Sequence, residues 1–267
     1  MSQCFLYLSY PPHPPPGLWV PRCVVSGWLT AEILPFSPKA AILGDSQFPA
    51  MMRRYSRADQ VSMLQKLFET YSGLNLTVPT DKPVAIAGLE RRLEKGGFGP
   101  APYGLFDDHH RGLLWQRRGD SLQRIKYPPK RAVPSWSWMA YHGPIQYMNV
   151  PTQGVEWLGR LVTISKPCKD HHGSRNTALQ VVVNKLSHKE LDNESWRLRL
   201  DDPGSLDTQD LMCVMVGRHA DKERDSTEYY AILVIPRFQG GYQRVGIGSL
   251  ERRHVRHGRS RLEGYLV

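Results

Sequence analysis

Cysteine is scarce in this sequence, and no two cysteines fall in C-x-x-C spacing. Cys4, Cys23, Cys168 and Cys213 lie far apart, so neither a zinc module nor a disulfide framework is indicated, and all four thiols are expected to be reduced. No apolar run approaches the roughly 20 residues a bilayer-spanning helix needs, and the mean hydropathy of −0.44 leaves no surplus for a membrane. The N-terminal stretch MSQCFLYLSYPPHPPPG is mildly apolar. It lacks a basic leader and breaks into proline too early for a secretory signal. The expected compartment is cytosolic or nuclear, the cytoplasm being the first choice. No G-x-S-x-G elbow is present, and the glycine-rich KGGFGP lacks the Gly-Lys-Ser/Thr ending of a phosphate loop. It also follows a helical pattern instead of a strand, so it reads as a helix stop.

Charge of one sign is in excess. The 267 residues carry a formal net charge of +10, with a pI near 9.5, and such an excess favours contact with phosphates. The basic residues gather in short, separated clusters: Arg91-Arg92, Arg117-Arg118, Lys126 to Arg131 and the tail ERRHVRHGRSR. No recognition helix, zinc finger or aromatic ladder accompanies them. Solvated surface charge is therefore the preferred reading, with a basic module for nucleic acid or an acidic partner as the alternative.

Three regions follow from composition and periodicity. Residues 1–50 read as a Pro-rich leader whose Pro11 to Pro16 run is expected to be extended polyproline. Residues 51–132 form a helical and linker region. There Val61, Leu64, Leu67, Phe68 and Tyr71 make one apolar stripe, capped by Ser56 with Asp59 and ending near Gly73. A second helix is predicted to begin at Thr80 as cap, with Pro83 in its first turn and Ile86, Leu89 and Leu93 on one face until Gly96-Gly97.

Residues 133–267 shift to period two. Trp196, Leu198 and Leu200 alternate with Arg197, Arg199 and Asp201, as a strand with one buried and one wet face requires. TALQVVVNKL, DLMCVMVGRH and EYYAILVIPR are apolar on both faces, and LGRLVTIS, YQRVGIGSL and RLEGYLV add shorter strands. The fold class expected is α+β: a mostly antiparallel sandwich or partial barrel of about seven or eight strands, with two N-terminal helices packed on it.

The stretch PSWSWMAYHGPIQY concentrates the question of chemistry. It places two of the seven tryptophans, Trp136 and Trp138, two positions apart with Ser135 and Ser137 beside them. As a strand it would point both indoles to one face and both serines to the other, and each indole can bury on the order of 200 Å². A structural role is preferred over a serine nucleophile, because no base or elbow context surrounds either hydroxyl. CKDHH, with Cys168, Asp170, His171 and His172, offers metal-ligand atoms, as do the pair His254 and His257 and the group Asp107, Asp108, His109 and His110. A closed zinc site needs four ligands on rigid backbone, and these read as solvated loops. No catalytic, cofactor-binding or metal-ligating residue is assigned, and no cofactor is expected.

Four landmarks, in order, resemble the region that follows the signature domain of fungal heterokaryon-incompatibility (HET) proteins. They are Tyr71-Ser72, Leu76-Thr77, Asp81-Lys82 and Ala85 to Gly88 within YSGLNLTVPTDKPVAIAGL; Tyr103, Gly104, Leu105, Leu113, Leu114 and Trp115 within YGLFDDHHRGLLW; the Pro-Ser-Trp-Ser-Trp motif; and the closing strands VMVGRH, YYAILVIP and YQRVGIGSL. Together they cover about residues 55–250. Gly27 to Phe48 looks like the degenerate end of a HET domain, while Leu8-Ser9-Tyr10 only echoes its opening motif and Phe106 stands where a Trp is expected. The resemblance implies a non-catalytic C-terminal module or truncated copy of a HET-type protein, without its effector domain and not an enzyme. It would act in fungal allorecognition and the associated programmed cell death. The implied partner is an unknown protein, another incompatibility protein among the candidates, with no membrane and nucleic acid disfavoured.

Overall fold

The structure is a computed structural model. It describes residues 50, 52–74, 76–99, 101–105, 110–151, 153–158, 162–164, 168–169, 175–176, 178–191, 197–204, 208–221, 226–256 and 262–267. All lie in the second of the chain's two units, Phe36–Val267. The Pro-rich run and the segment Gly27 to Phe48 lie outside the described residues.

Helix α1, Arg57–Ser72, starts where the sequence places it. Ser56 is the N-cap, its hydroxyl accepting from the Asp59 N–H at 3.3 Å and donating to the Asp59 carboxylate at 2.6 Å. Gly73 closes the helix, and Met63, Leu64, Leu67, Phe68 and Tyr71 form its buried face. Helix α2, Lys82–Leu93, begins later than expected. Pro79–Asp81 forms a 3-10 turn, and Asp81, in αR geometry, takes the cap position without a side-chain cap bond. Pro79 fixes its own φ and starts the turn early, so Thr80 sits inside that turn and does not cap the helix. A π-helical turn, Glu94–Phe98, then carries the chain to Gly97 and Gly99, both at positive φ, and the helical run stops there.

Strands follow from residue 115 onward. Four short ones come first: β1 Trp115–Arg117, β2 Gln123–Arg124, β3 Tyr141–His142 and β4 Ile145–Tyr147, pairing as β1–β4 and β2–β3. Then come β5 Val155–Trp157, β6 Val162–Ile164, β7 Cys168–Lys169, β8 Arg175–Asn176, β9 Leu179–Leu186, β10 Leu198–Leu200, β11 Met212–Asp221, β12 Ser226–Pro236, β13 Tyr242–Glu251, β14 Val255–Arg256 and β15 Leu262–Leu266. Nine of these join one sheet, in the order β14-β9-β15-β13-β12-β11-β5, with β10 on β13 and β6 on β9.

A further pairing of β11 with β9 bends this sheet into a circuit of five strands, β9-β15-β13-β12-β11. Strand direction cannot alternate all the way round an odd circuit, so one neighbouring pair must be parallel. That pair is β13–β15, and its ladder has a single register pair, Tyr242↔Leu266, next to the Val267 N–H donating to the Tyr242 carbonyl at 3.1 Å. The other pairings in the circuit are antiparallel. The sheet is therefore mostly antiparallel and partly ring-closed, but not a barrel.

Three cores result. One lies between the helices and the β1–β4 region, built from Leu64, Phe68, Ile86, Leu93, Trp115, Trp138 and Ile145 among others. A second fills one face of the sheet with Val181, Val183, Val214, Ile232 and Leu266, joined by Trp136. The third covers the opposite face with Leu186, Cys213, Leu233 and Leu250.

Candidate functional site

The Pro-Ser-Trp-Ser-Trp motif is not a strand. The Ser137 N–H donates to the Pro134 carbonyl at 3.0 Å, closing a turn, and Trp138–Ala140 continues as a 3-10 turn capped by Ser137, whose hydroxyl accepts from the Met139 N–H at 3.2 Å. In a strand, residues two apart share a face. At about 120° per residue in a 3-10 turn they diverge. Trp136 and Trp138 are both fully buried, yet they serve different cores. The Trp136 ring meets Tyr103 edge-on at 6.0 Å, while Trp138 lies 5.5 Å from Phe68 and 6.0 Å from Tyr71. The motif thus rivets the helical layer to the sheet.

Both serines bond to backbone. The Ser135 hydroxyl donates to the Val267 carbonyl and accepts from the Arg244 N–H at 3.0 Å. It therefore bridges the end of β15 to β13, beside the one-pair parallel ladder. The Ser137 hydroxyl donates to the Tyr103 carbonyl at 2.9 Å. Tyr103 is the one described non-glycine residue at positive φ, 53°. Gly104 follows at φ 79°, where a Cβ would press on the Trp138 indole nitrogen at 3.0 Å.

Next to this corner lies a fully buried ion pair, Arg244 with Asp201. Arg244 Nε donates to Asp201 Oδ2 at 3.1 Å and Nη2 to Oδ1 at 3.2 Å, a bidentate fork. Nη1 also donates to the Leu113 carbonyl at 2.8 Å and Nη2 to that of Trp115. The guanidinium stacks 3.2 Å above the Trp115 ring centre. A β-bulge in β13 makes this possible: Leu233 pairs with Gly246 but Val234 with Arg244, leaving Val245 unmatched. The free Val245 carbonyl accepts the Asp201 N–H at 2.8 Å, and the bulge re-aims Arg244 inward. Burial pushes the Asp201 carboxyl above its ordinary value, while Arg244 pulls it back.

Helix α2 holds two more charged groups away from water, Lys82 buried and Glu90 half-buried, and no ion pair among the described residues includes either. Lys82 Nζ donates to the Tyr141 carbonyl at 2.7 Å and sits 5.1 Å from the Trp138 ring centre. Burial pushes its amine down to about 8. Glu90 accepts from the Gly104 N–H at 2.8 Å. Burial raises its carboxyl to about 7, against the lowering effect of that N–H.

A cleft of about 110 Å³ opens beside the ion pair, lined by Leu122, Arg124, Tyr141, Asp202, Gln243 and Val245 with the Arg244–Asp201 pair at its base. None of this was legible in the sequence. Alternation in the sequence places Asp201 on the wet face of its strand, and the structure corrects that: it is 2% exposed. The available hint is that Arg244 is the one charged residue in the run YQRVGIGSL.

Most of the metal-ligand candidates lie outside the described residues. His254 is buried, its Nδ1 accepting from the Glu251 N–H at 2.9 Å, while His257 lies outside the described residues. Cys168 lies in β7, and Asp170, His171 and His172 lie outside the described residues, as do Asp107, Asp108 and His109. Among the described residues no group of three or more such ligands is found, and no helix is long and apolar enough to cross a membrane. Cys213 is a buried free thiol pushed up to about 12 by burial.

Compared with known proteins, the chain matches no protein-family model, no curated protein and no solved structure.

Proposed function

We propose that this chain is a non-catalytic C-terminal module, or a truncated copy, of a HET-type protein, contributing scaffold and partner contacts to fungal self/non-self recognition and the cell death that follows. A cytoplasmic location and a protein partner go with that reading. One observation carries it: the residues that make the resemblance are in contact with one another. Tyr71 packs on Trp138, and Ser72 accepts the Ile145 N–H at 2.9 Å. Lys82 lies over Trp138, Ser137 bonds Tyr103, and the Trp115 indole N–H donates to the Trp136 carbonyl at 2.9 Å. Residues 21 to 73 positions apart in sequence form one packed junction around Pro-Ser-Trp-Ser-Trp.

The reading is tested in a filamentous fungus. The chain expressed alone is expected not to kill, while the same chain fused downstream of an active HET domain is expected to make killing depend on the genotype of the fusion partner. Killing by the chain alone, or fusion killing indifferent to genotype, overturns it.

A second reading, a basic module for nucleic acid or an acidic partner, is favoured by one cross-strand pair. Arg256 of β14 stands directly opposite Lys185 of β9, both exposed, an arrangement that is unfavourable without an anion. Retention on nucleic acid that collapses steeply with salt supports this reading over the first.

A further inference from the structure

The cleft at the foot of the bulge has a charge pattern that selects one kind of ligand. Its lining holds two cations, Arg124 and Arg244, and two anions, Asp201 and Asp202. The buried pair at the base is closed on itself, each carboxylate oxygen of Asp201 already accepting from Arg244. The rim differs. Arg124 and Asp202 are both exposed, and among the described residues no ion pair joins them to each other or to another group. Asp202 Oδ1 accepts the Gly204 N–H at 3.2 Å, which fixes the carboxylate and leaves Oδ2 available. Arg124 is anchored through its backbone, since β2 pairs Arg124 with Tyr141. Between these two charges the walls are Leu122, Val245 and the Tyr141 side chain, with the Gln243 amide at the edge.

We infer that this cleft binds a small zwitterion, an α-amino acid with a short apolar side chain, with its carboxylate on Arg124 and its ammonium on Asp202. A simple anion would gain Arg124 and meet the Asp202 carboxylate, and a simple cation would gain Asp202 and meet the Arg124 guanidinium. A molecule carrying both charges a few ångströms apart answers both rim groups at once. The available volume of about 110 Å³ suits a molecule of about four to five non-hydrogen atoms, since a dry cavity of about 150 Å³ admits the six of benzene. Glycine matches that size, alanine adds one methyl group, and a large side chain does not fit. Affinity for so small a ligand falls in the millimolar range. The inference stands apart from the family reading, because the two rim charges it rests on, Arg124 and Asp202, lie outside the landmarks that make the resemblance.

Titration of isotope-labelled protein with glycine and with L-alanine, followed by NMR at Leu122 and Val245, tests it at constant ionic strength. Saturable shifts are expected for both amino acids, and only weak, non-saturating shifts for acetate and for methylammonium. The substitutions Arg124→Gln and Asp202→Asn are each expected to weaken binding about five- to tenfold, the range of one partly exposed charge-assisted bond. Both positions are exposed, so an unchanged unfolding midpoint shows that the variants remain folded. Three results overturn the inference: no saturable shift with either amino acid, acetate binding as well as glycine, or variants that bind as the parent does.

Discussion

The sheet and the helical layer both bury charge, and they handle it in opposite ways. In the sheet Arg244 meets Asp201 in a bidentate fork, and its remaining donors reach the Leu113 and Trp115 carbonyls. In the helical layer Lys82 and Glu90 each have one backbone partner. A paired buried ion needs its partner, because removing either member strands a charge away from water. An unpaired buried ion is already penalised, and removing its charge relieves that penalty. The sheet should therefore be fragile toward loss of charge, and the helical layer tolerant of it.

The sharpest way to break the comparison is Asp201→Asn. It strands the Arg244 guanidinium and is expected to destabilise the protein by about 3–5 kcal/mol, read as a lower denaturant midpoint. The double variant Asp201→Leu with Arg244→Met should lose much less, since no charge is then left unpaired. If single and double variants behave alike, the pair is not coupled as the geometry indicates.

Next in size is Ser135→Ala. The hydroxyl serves the Arg244 N–H and the Val267 carbonyl beside the parallel ladder, so its loss should cost about 1–3 kcal/mol. Hydrogen exchange should rise first at Tyr242 and Val267, where one register pair holds β13 to β15. A uniform rise across the sheet would argue against a local seam.

The helical layer is probed by pH. Glu90 ionises near 7 in the folded protein, above its ordinary 4.5, so the folded state holds that proton more tightly than the unfolded chain. Its contribution to stability falls as pH rises from about 4.5 to about 7. Lys82 has the opposite slope. Its folded value of about 8 lies below the ordinary 10.5, so stability rises between about 8 and 10.5 as the folded state sheds a proton the unfolded chain still keeps. Both penalties act together between about 7 and 8. Glu90→Gln is expected to flatten the acidic slope and Lys82→Met the alkaline one, in unfolding midpoints measured across pH. Loss of stability with Lys82→Met at neutral pH would show that the amine contributes more through Tyr141 than burial costs it.

The smallest effect expected is at the helix start. Ser56→Ala removes a cap seen in sequence and structure alike, and should cost about 1 kcal/mol, whereas Thr80→Ala should cost less, since Thr80 caps nothing. Equal losses at the two positions would contradict the observed start of α2.

These contrasts also mark how far the sequence could be read. The stripe Leu64, Leu67, Phe68 and Tyr71, the Ser56 cap and the long apolar strands all lie within a few residues of the signals that encode them, and they stand as read. Pro-Ser-Trp-Ser-Trp was legible as buried ballast but not in its shape. Its two-residue spacing suits a strand, and only the bonds from Ser137 to Pro134, Met139 and Tyr103 make it a turn. The cleft was not legible. Asp201 and Arg244 are 43 residues apart, and their alternation in sequence assigns Asp201 to water.

Periodicity, caps and breakers determined the class of this fold by themselves, because burial repeats every two residues along a strand and every three or four along a helix. The tertiary structure alone decided which buried charges have partners, which strands close the circuit and what each indole touches. Those outcomes depend on a bulge at Val245 and on the parity of a five-strand ring, and neither leaves a local trace in the chain.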